Sequence, residues 1–117
     1  MLYQYQNADA PVIYIVGVNC QPEHEEKFNS WYDEVHIPQL LKFEKLKEIT
    51  RCRLIDKSQI YPKYLTMYKF DTRQDWEGYL NSPERIFALQ GTKDTWKGNE
   101  SEMQWQVNYE VLKFWQR

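Results

Sequence analysis

Of the two histidines in this 117-residue chain, His36 is the one whose type and position point to chemistry. Imidazole is the side chain that titrates unperturbed between pH 5 and 8, so it can take a proton from a carbon acid or phenol and return it elsewhere. His36 follows an apolar stripe, Phe28, Trp31, Tyr32 and Val35, at the helical spacing i, i+3, i+4, i+7. Pro38 disfavours helical geometry at Ile37. The helix is therefore expected to end near His36, with the ring turned toward a sheet and Leu40 and Leu41 packing in a short continuation. The competing role for His36 is to cap the helix C-terminus. Asp33 is the carboxylate placed to orient the ring, although such pairs on a helix surface are as often solvated.

Tyr64 and Tyr68 share one face of a strand pattern and are the candidates to orient or protonate an oxygenated substrate beside His36. Tyr32 and Trp76 are rings with a polar handle, suited to line an aromatic cleft. Arg53 is the candidate cation for a substrate carboxylate. Arg51 and Arg53 share a face and need partners if buried, either that carboxylate or Glu102 and Glu110 of a second copy. Trp31, Trp105 and Tyr109 read as core and packing residues. His24 lies among Glu23, Glu25 and Glu26 without metal-ligand spacing. No Gly-rich phosphate loop, Ser-His-Asp pattern or zinc motif is present, so neither metal nor cofactor is expected.

The elements that must position these residues follow from patterning. Val12–Val18 is a β-branched run that suits a central strand. Pro22 opens a helix whose first turn holds three glutamates. Leu46–Ile55 alternates as a second strand and Tyr64–Phe70 reads as a third, antiparallel to it. Asp71 or Thr72 can cap the next helix, and Ser82-Pro83 restarts it. Gly91 and Gly98 bracket an expected loop, after which Met103, Trp105, Val107, Tyr109 and Val111 alternate with polar residues as the clearest strand. Strand, helix, strand, strand, helix, strand spells a ferredoxin-like βαββαβ unit of the α+β class. A four-stranded antiparallel sheet in the order 4-1-3-2 is expected, with both helices on one face. Cys20 and Cys52 then lie on strands that are not neighbours, and no disulfide is expected. The bare face calls for a cover, and a second copy packed sheet to sheet is the simplest.

Composition limits the function classes. The length suits a single domain, residues 1–117, with 1–10 as an N-terminal arm. Fifteen basic against seventeen acidic residues give a net charge of −2, which argues against nucleic acid as a partner. No apolar run approaches the length of a membrane span and no leader pattern opens the chain, so a cytoplasmic protein without a membrane partner is expected. The unusual feature is the 16% of aromatic residues, most of them Trp and Tyr.

The stretch from Phe28 through Trp31-Tyr32-Asp33-Glu34-Val35-His36-Ile37-Pro38-Gln39-Leu40-Leu41 resembles the dimeric α+β barrel superfamily, and particularly its EthD-like branch. Arg51 and Arg53, Tyr64 to Phe70, and Asn81-Ser82-Pro83-Glu84-Arg85 extend the resemblance. One departure is Glu44-Lys45, where relatives often carry Pro-Gly before the second strand. The resemblance implies a homodimer with a cleft between sheet and helices in each copy. Superfamily members use such clefts for polyketide cyclisation, lactone isomerisation and cofactor-free oxidation of phenols, and some bind or degrade haem. The expectation is a small cofactor-independent enzyme moving protons on an oxygenated cyclic or aromatic metabolite. The alternative is a non-catalytic module of the same fold that binds an apolar or aromatic ligand, haem included.

Overall fold

The computed structural model describes residues 2–4, 10–57, 60–96 and 101–117, with backbone alone at 3–4 and 101–104. The described residues form strands β1 (Leu2–Gln4), β2 (Val12–Cys20), β3 (Leu46–Arg53), β4 (Tyr64–Phe70), β5 (Ser101–Glu110) and β6 (Lys113–Trp115). A 3₁₀ turn at Pro22–His24 leads into α1 (Glu25–Trp31). A π-helical turn, Tyr32–His36, joins α1 to α2 (Ile37–Leu40), and α3 (Arg73–Leu80) and α4 (Pro83–Thr95) follow β4.

The main sheet has the order β3-β4-β2-β5, all pairs antiparallel. In the numbering of the expected unit this is 2-3-1-4, the ferredoxin-like order. Thr72 and Ser82 are the caps of α3 and α4: the Thr72 hydroxyl accepts from Asp75 N–H at 3.1 Å and the Ser82 hydroxyl from Arg85 N–H at 3.2 Å. Cys20 and Cys52 are free, with β4 between their strands.

The pleat sorts residues to two faces. Tyr14, Val16 and Val18 of β2, Tyr64, Thr66, Tyr68 and Phe70 of β4, and Leu46, Ile49 and Arg51 of β3 point toward the helices. Most of them join the core with Phe28, Tyr32, Leu40, Tyr79, Ala88 and Trp96. The opposite face carries Ile13, Ile15, Leu65, Met67, Trp105, Val107 and Tyr109, among which Trp105 and Tyr109 are exposed. Those two rings are surface rather than core, because β5 turns its odd positions away from the helices. Gly17 lies under this face, where a Cβ would stand 2.6 Å from Pro62 Cγ and 3.0 Å from Trp105 Cε2.

Three further expectations need correction. The helix does not end at His36. It widens into a π turn in which Ile37 N–H reaches back five residues to Tyr32 O, a route that accommodates the N–H missing at Pro38. The loop expected from Gly91 is helical through Thr95, since Ser82 and Pro83 start α4 and Gly91 meets only Gln39 Oε1, at 3.8 Å. The end of that loop, 97–100, lies outside the described residues. Finally, the N-terminal arm contributes a strand: β1 pairs with β6 through Leu2↔Trp115, Tyr3↔Phe114 and Gln4↔Lys113. Its residues 1 and 5–9 lie outside the described residues.

Candidate functional site

The helices do not close fully on the sheet. Between them lies a cavity of about 420 Å³, within the range that small-molecule sites occupy. Its floor is Tyr14, Val16 and Val18 of β2 with Tyr68 of β4 and Gln106 of β5. Its walls are Phe28, Trp31, Tyr32, His36 and Leu40 on one side and Tyr79, Arg85, Leu89, Thr92, Lys93 and Trp96 on the other.

His36 is buried in the wall, stacked on Trp31 with centroids 4.6 Å apart and edged by Tyr32 at 4.9 Å. Its Nδ1 is buried without a hydrogen-bond partner, as is Nε1 of Trp96. Buried polar atoms of this kind are uncommon, because each forgoes water without compensation. Burial lowers the His36 pKa from 6.5 to about 4, so the ring is neutral at physiological pH, with one nitrogen a donor and the other an acceptor. Asp33 does not orient it. That carboxylate accepts from Arg51 Nη1 at 2.7 Å and is largely exposed.

The tyrosines form a connected set behind the cavity. Tyr14 stacks on Tyr68 at 5.4 Å and donates its hydroxyl hydrogen to Gln106 Oε1. Burial raises the pKa of Tyr32, and its neighbours Tyr68, Thr66 and Arg51 moderate that rise. Tyr68, more deeply buried, is held well above the ordinary tyrosine value by desolvation, with Tyr32 adding to the rise. Burial also raises Tyr14 and Tyr79, and the nearby Arg85 charge opposes that rise in both. All four hydroxyls are therefore protonated donors at neutral pH.

Of the residues singled out in the sequence, His36, Tyr32 and Tyr68 meet in the cavity, and Trp31 joins them rather than serving as core alone. Tyr64, Trp76 and Arg53 do not line it. The Tyr64 hydroxyl donates to Glu25 Oε2 at 3.0 Å and accepts from Asn29 Nδ2 at 3.2 Å, and Lys63 binds the same carboxylate at 2.6 Å. Trp76 donates to Asn108 Oδ1 at 3.0 Å, and Arg53 is exposed beside a shallow groove with Tyr61 and Pro62. Arg51 is satisfied within its own chain by Asp33 and by Asn29 Oδ1 at 2.9 Å, its guanidinium 4.7 Å from the Tyr32 ring centre.

Sequence reasoning missed Tyr14, Tyr79, Arg85, Lys93, Trp96 and Gln106. A signal existed for part of this set: Arg85, Leu89, Thr92 and Lys93 fall at i, i+4, i+7 and i+8, one stripe of α4, and Trp96 follows as its C-cap at i+11. Among the described residues no group of three His, Cys, Asp or Glu side chains is arranged to hold a metal ion.

Several solved structures share this fold. A hydroxynitrile lyase from Passiflora edulis superposes with a TM-score of 0.67 at 11% identity, covering 88% of this chain and 94% of its own. An ethyl tert-butyl ether degradation (EthD) family protein from Bacillus halodurans gives 0.63 at 14%, covering 86% and 99%. A dimeric protein of unknown function and ferredoxin-like fold from Bacteroides fragilis gives 0.62 at 16%, covering 93% and 100%. No curated protein sequence matches the chain. At such low identities the likeness speaks for the fold alone, which is ferredoxin-like and shared with an EthD family protein, as the resemblance around His36 leads one to expect. A family model matches residues 11–92, a span that holds His36 and the four cavity tyrosines, and the chain belongs to that family, described as a domain of unknown function, DUF4286.

Proposed function

We propose that this chain is a small enzyme, independent of any cofactor, that moves a proton on an oxygenated cyclic or aromatic metabolite held in the cavity. The observation that carries the reading is the imidazole of His36, buried in the cavity wall with an unpartnered nitrogen. An oxygenated ligand would supply the missing partner.

His36 enters the reaction neutral and accepts a proton from the substrate. Alone in its apolar setting, with a pKa of about 4, it is a weak base. Proton transfer, however, leaves a negative charge on the substrate next to the new imidazolium, and at low dielectric that attraction raises the basicity of the ring in the transition state. Tyr32, backed by Tyr68, donates to the developing oxyanion. The proton then returns to a different atom, and the cycle ends with both groups restored. That the Passiflora edulis neighbour is a hydroxynitrile lyase supports the capacity of the fold for such chemistry.

The working unit is a homodimer, two copies packed through the face that carries Ile15, Met67, Val107 and Trp105, as the dimeric Bacteroides fragilis neighbour suggests. The test of the enzymatic reading is exchange of carbon-bound hydrogen into D₂O for cyclic ketones such as 2-tetralone, followed by NMR. Wild-type protein accelerates exchange and His36→Gln does not. Equal rates with bound ketone would leave the binding module as the correct reading.

A further inference from the structure

Among the described residues, the Lys, Arg, Asp and Glu side chains that line the cavity are all of one sign. Arg85 and Lys93 line it, and no described aspartate or glutamate does. Both cations project from the same stripe of α4, eight residues and hence about 12 Å apart along the axis. They serve opposite ends. Lys93 lies one turn before Trp96, whose ring is 5.7 Å from Trp31, which stacks in turn on His36. Arg85 lies over Tyr79, at 5.9 Å, where its charge also reaches the Tyr14 hydroxyl.

Arg85 is half-buried and held in place. Its Nη1 donates to Leu80 O at 3.2 Å, while among the described residues no carboxylate pairs with it. A guanidinium has five N–H donors in a fixed fork that fits a carboxylate with two parallel bonds, and most of that fork is unused. The Tyr79 ring lies beneath it at 5.9 Å. From this pole a row of rings, Tyr14 to Tyr68 to Tyr32, runs to His36.

Building on the proton-transfer reading of the same cavity, we propose that its substrates are carboxylic acids. The acid group is held by the Arg85 guanidinium, and the ring system reaches along the tyrosines to place the reacting carbon or oxygen against His36. Arg85 is then the specificity-determining residue, and it takes no part in the proton transfer. A planar two-oxygen anion fits better than a phosphate here, since the donors form one planar fork rather than a cage.

The test compares two isosteric probes, naphthalene-2-carboxylate and naphthalene-2-carboxamide, by quenching of the fluorescence of Trp31 and Trp96 in the full chain. The wild type is expected to bind the acid at least tenfold more tightly than the amide. Arg85→Gln removes that preference without weakening the amide, and Arg85→Lys, which keeps the charge but loses the fork, retains part of it. Thermal melts show whether each variant is folded, and the acid-to-amide ratio of the wild type needs no variant at all. Equal affinities for the two probes in the wild type, or a preference that survives Arg85→Gln, would overturn the carboxylate assignment while leaving the cavity and His36 intact. If neither probe binds, both this assignment and the cavity reading beneath it are wrong.

Discussion

Burial of His36 makes a quantitative statement about acid stability. The folded ring has a pKa of about 4 against 6.5 for a free one, so below pH 6.5 the unfolded chain binds a proton that the folded chain refuses. The sign follows by linkage: a depressed histidine costs nothing above pH 6.5, and stability is lost as pH falls toward 4. At about 1.4 kcal/mol for each tenfold difference in proton affinity, the loss is about 1.4 kcal/mol at pH 5.5 and about 3 kcal/mol at pH 4. His36→Phe keeps a flat ring against Trp31 and cannot titrate, so it lacks this loss. Urea denaturation of both proteins from pH 7.5 to pH 4 isolates the effect, because acid-sensitive contacts common to the two, such as Glu25 with Lys63, cancel in the difference. The gap between variant and wild type should move by about 3 kcal/mol in favour of the variant across that window. A gap that stays flat would refute the neutral, desolvated imidazole.

The remaining predictions concern packing and assembly. Phe28 is 1% exposed and contacts Tyr32, Tyr64 and Trp96, so Phe28→Ala should cost about 3–5 kcal/mol in chemical denaturation. Gly17→Val drives methyl groups into Pro62 and Trp105 and should cost about 1–3 kcal/mol, with Trp105 fluorescence shifted. Met67→Asp places a charge at the centre of the open sheet face and should convert a dimer to a monomer by light scattering. Arg51→Met removes contacts inside one chain and should leave the oligomeric state as it is.

Fold and site differed in how far they could be read from sequence. Strand alternation, the Ser82-Pro83 restart and the turn residues specify a ferredoxin-like sheet order because each signal is local. The β1–β6 pair is invisible by the same logic: three-residue strands carry no period, and their pairing joins the two ends of the chain. His36, Tyr32 and Tyr68 are legible because one helix stripe and one strand face present them to each other. Tyr64 shares that strand face with Tyr68, yet Glu25 and Asn29 claim its hydroxyl. Only the helix-to-sheet packing decides that. Arg85 looks like a surface cation in sequence, and its meaning comes from Tyr79 and Tyr14, which arrive from two other elements. Trp31 reads as core by its spacing, and the π turn that Pro38 requires sets it against His36 at the cavity wall.

The central claim is that His36 transfers a proton on a bound substrate. Its most direct test is the rate of deuterium incorporation from D₂O into 2-tetralone, 2-indanone and their carboxylated counterparts, measured by NMR for the wild type and His36→Gln at pH 7. General base catalysis by a positioned side chain is worth about 10²–10⁴-fold. The wild type should exceed the variant by at least about a hundredfold on that basis, with binding of the ketones preserved. Equal rates in the two proteins, with the ketones bound by both, would contradict it.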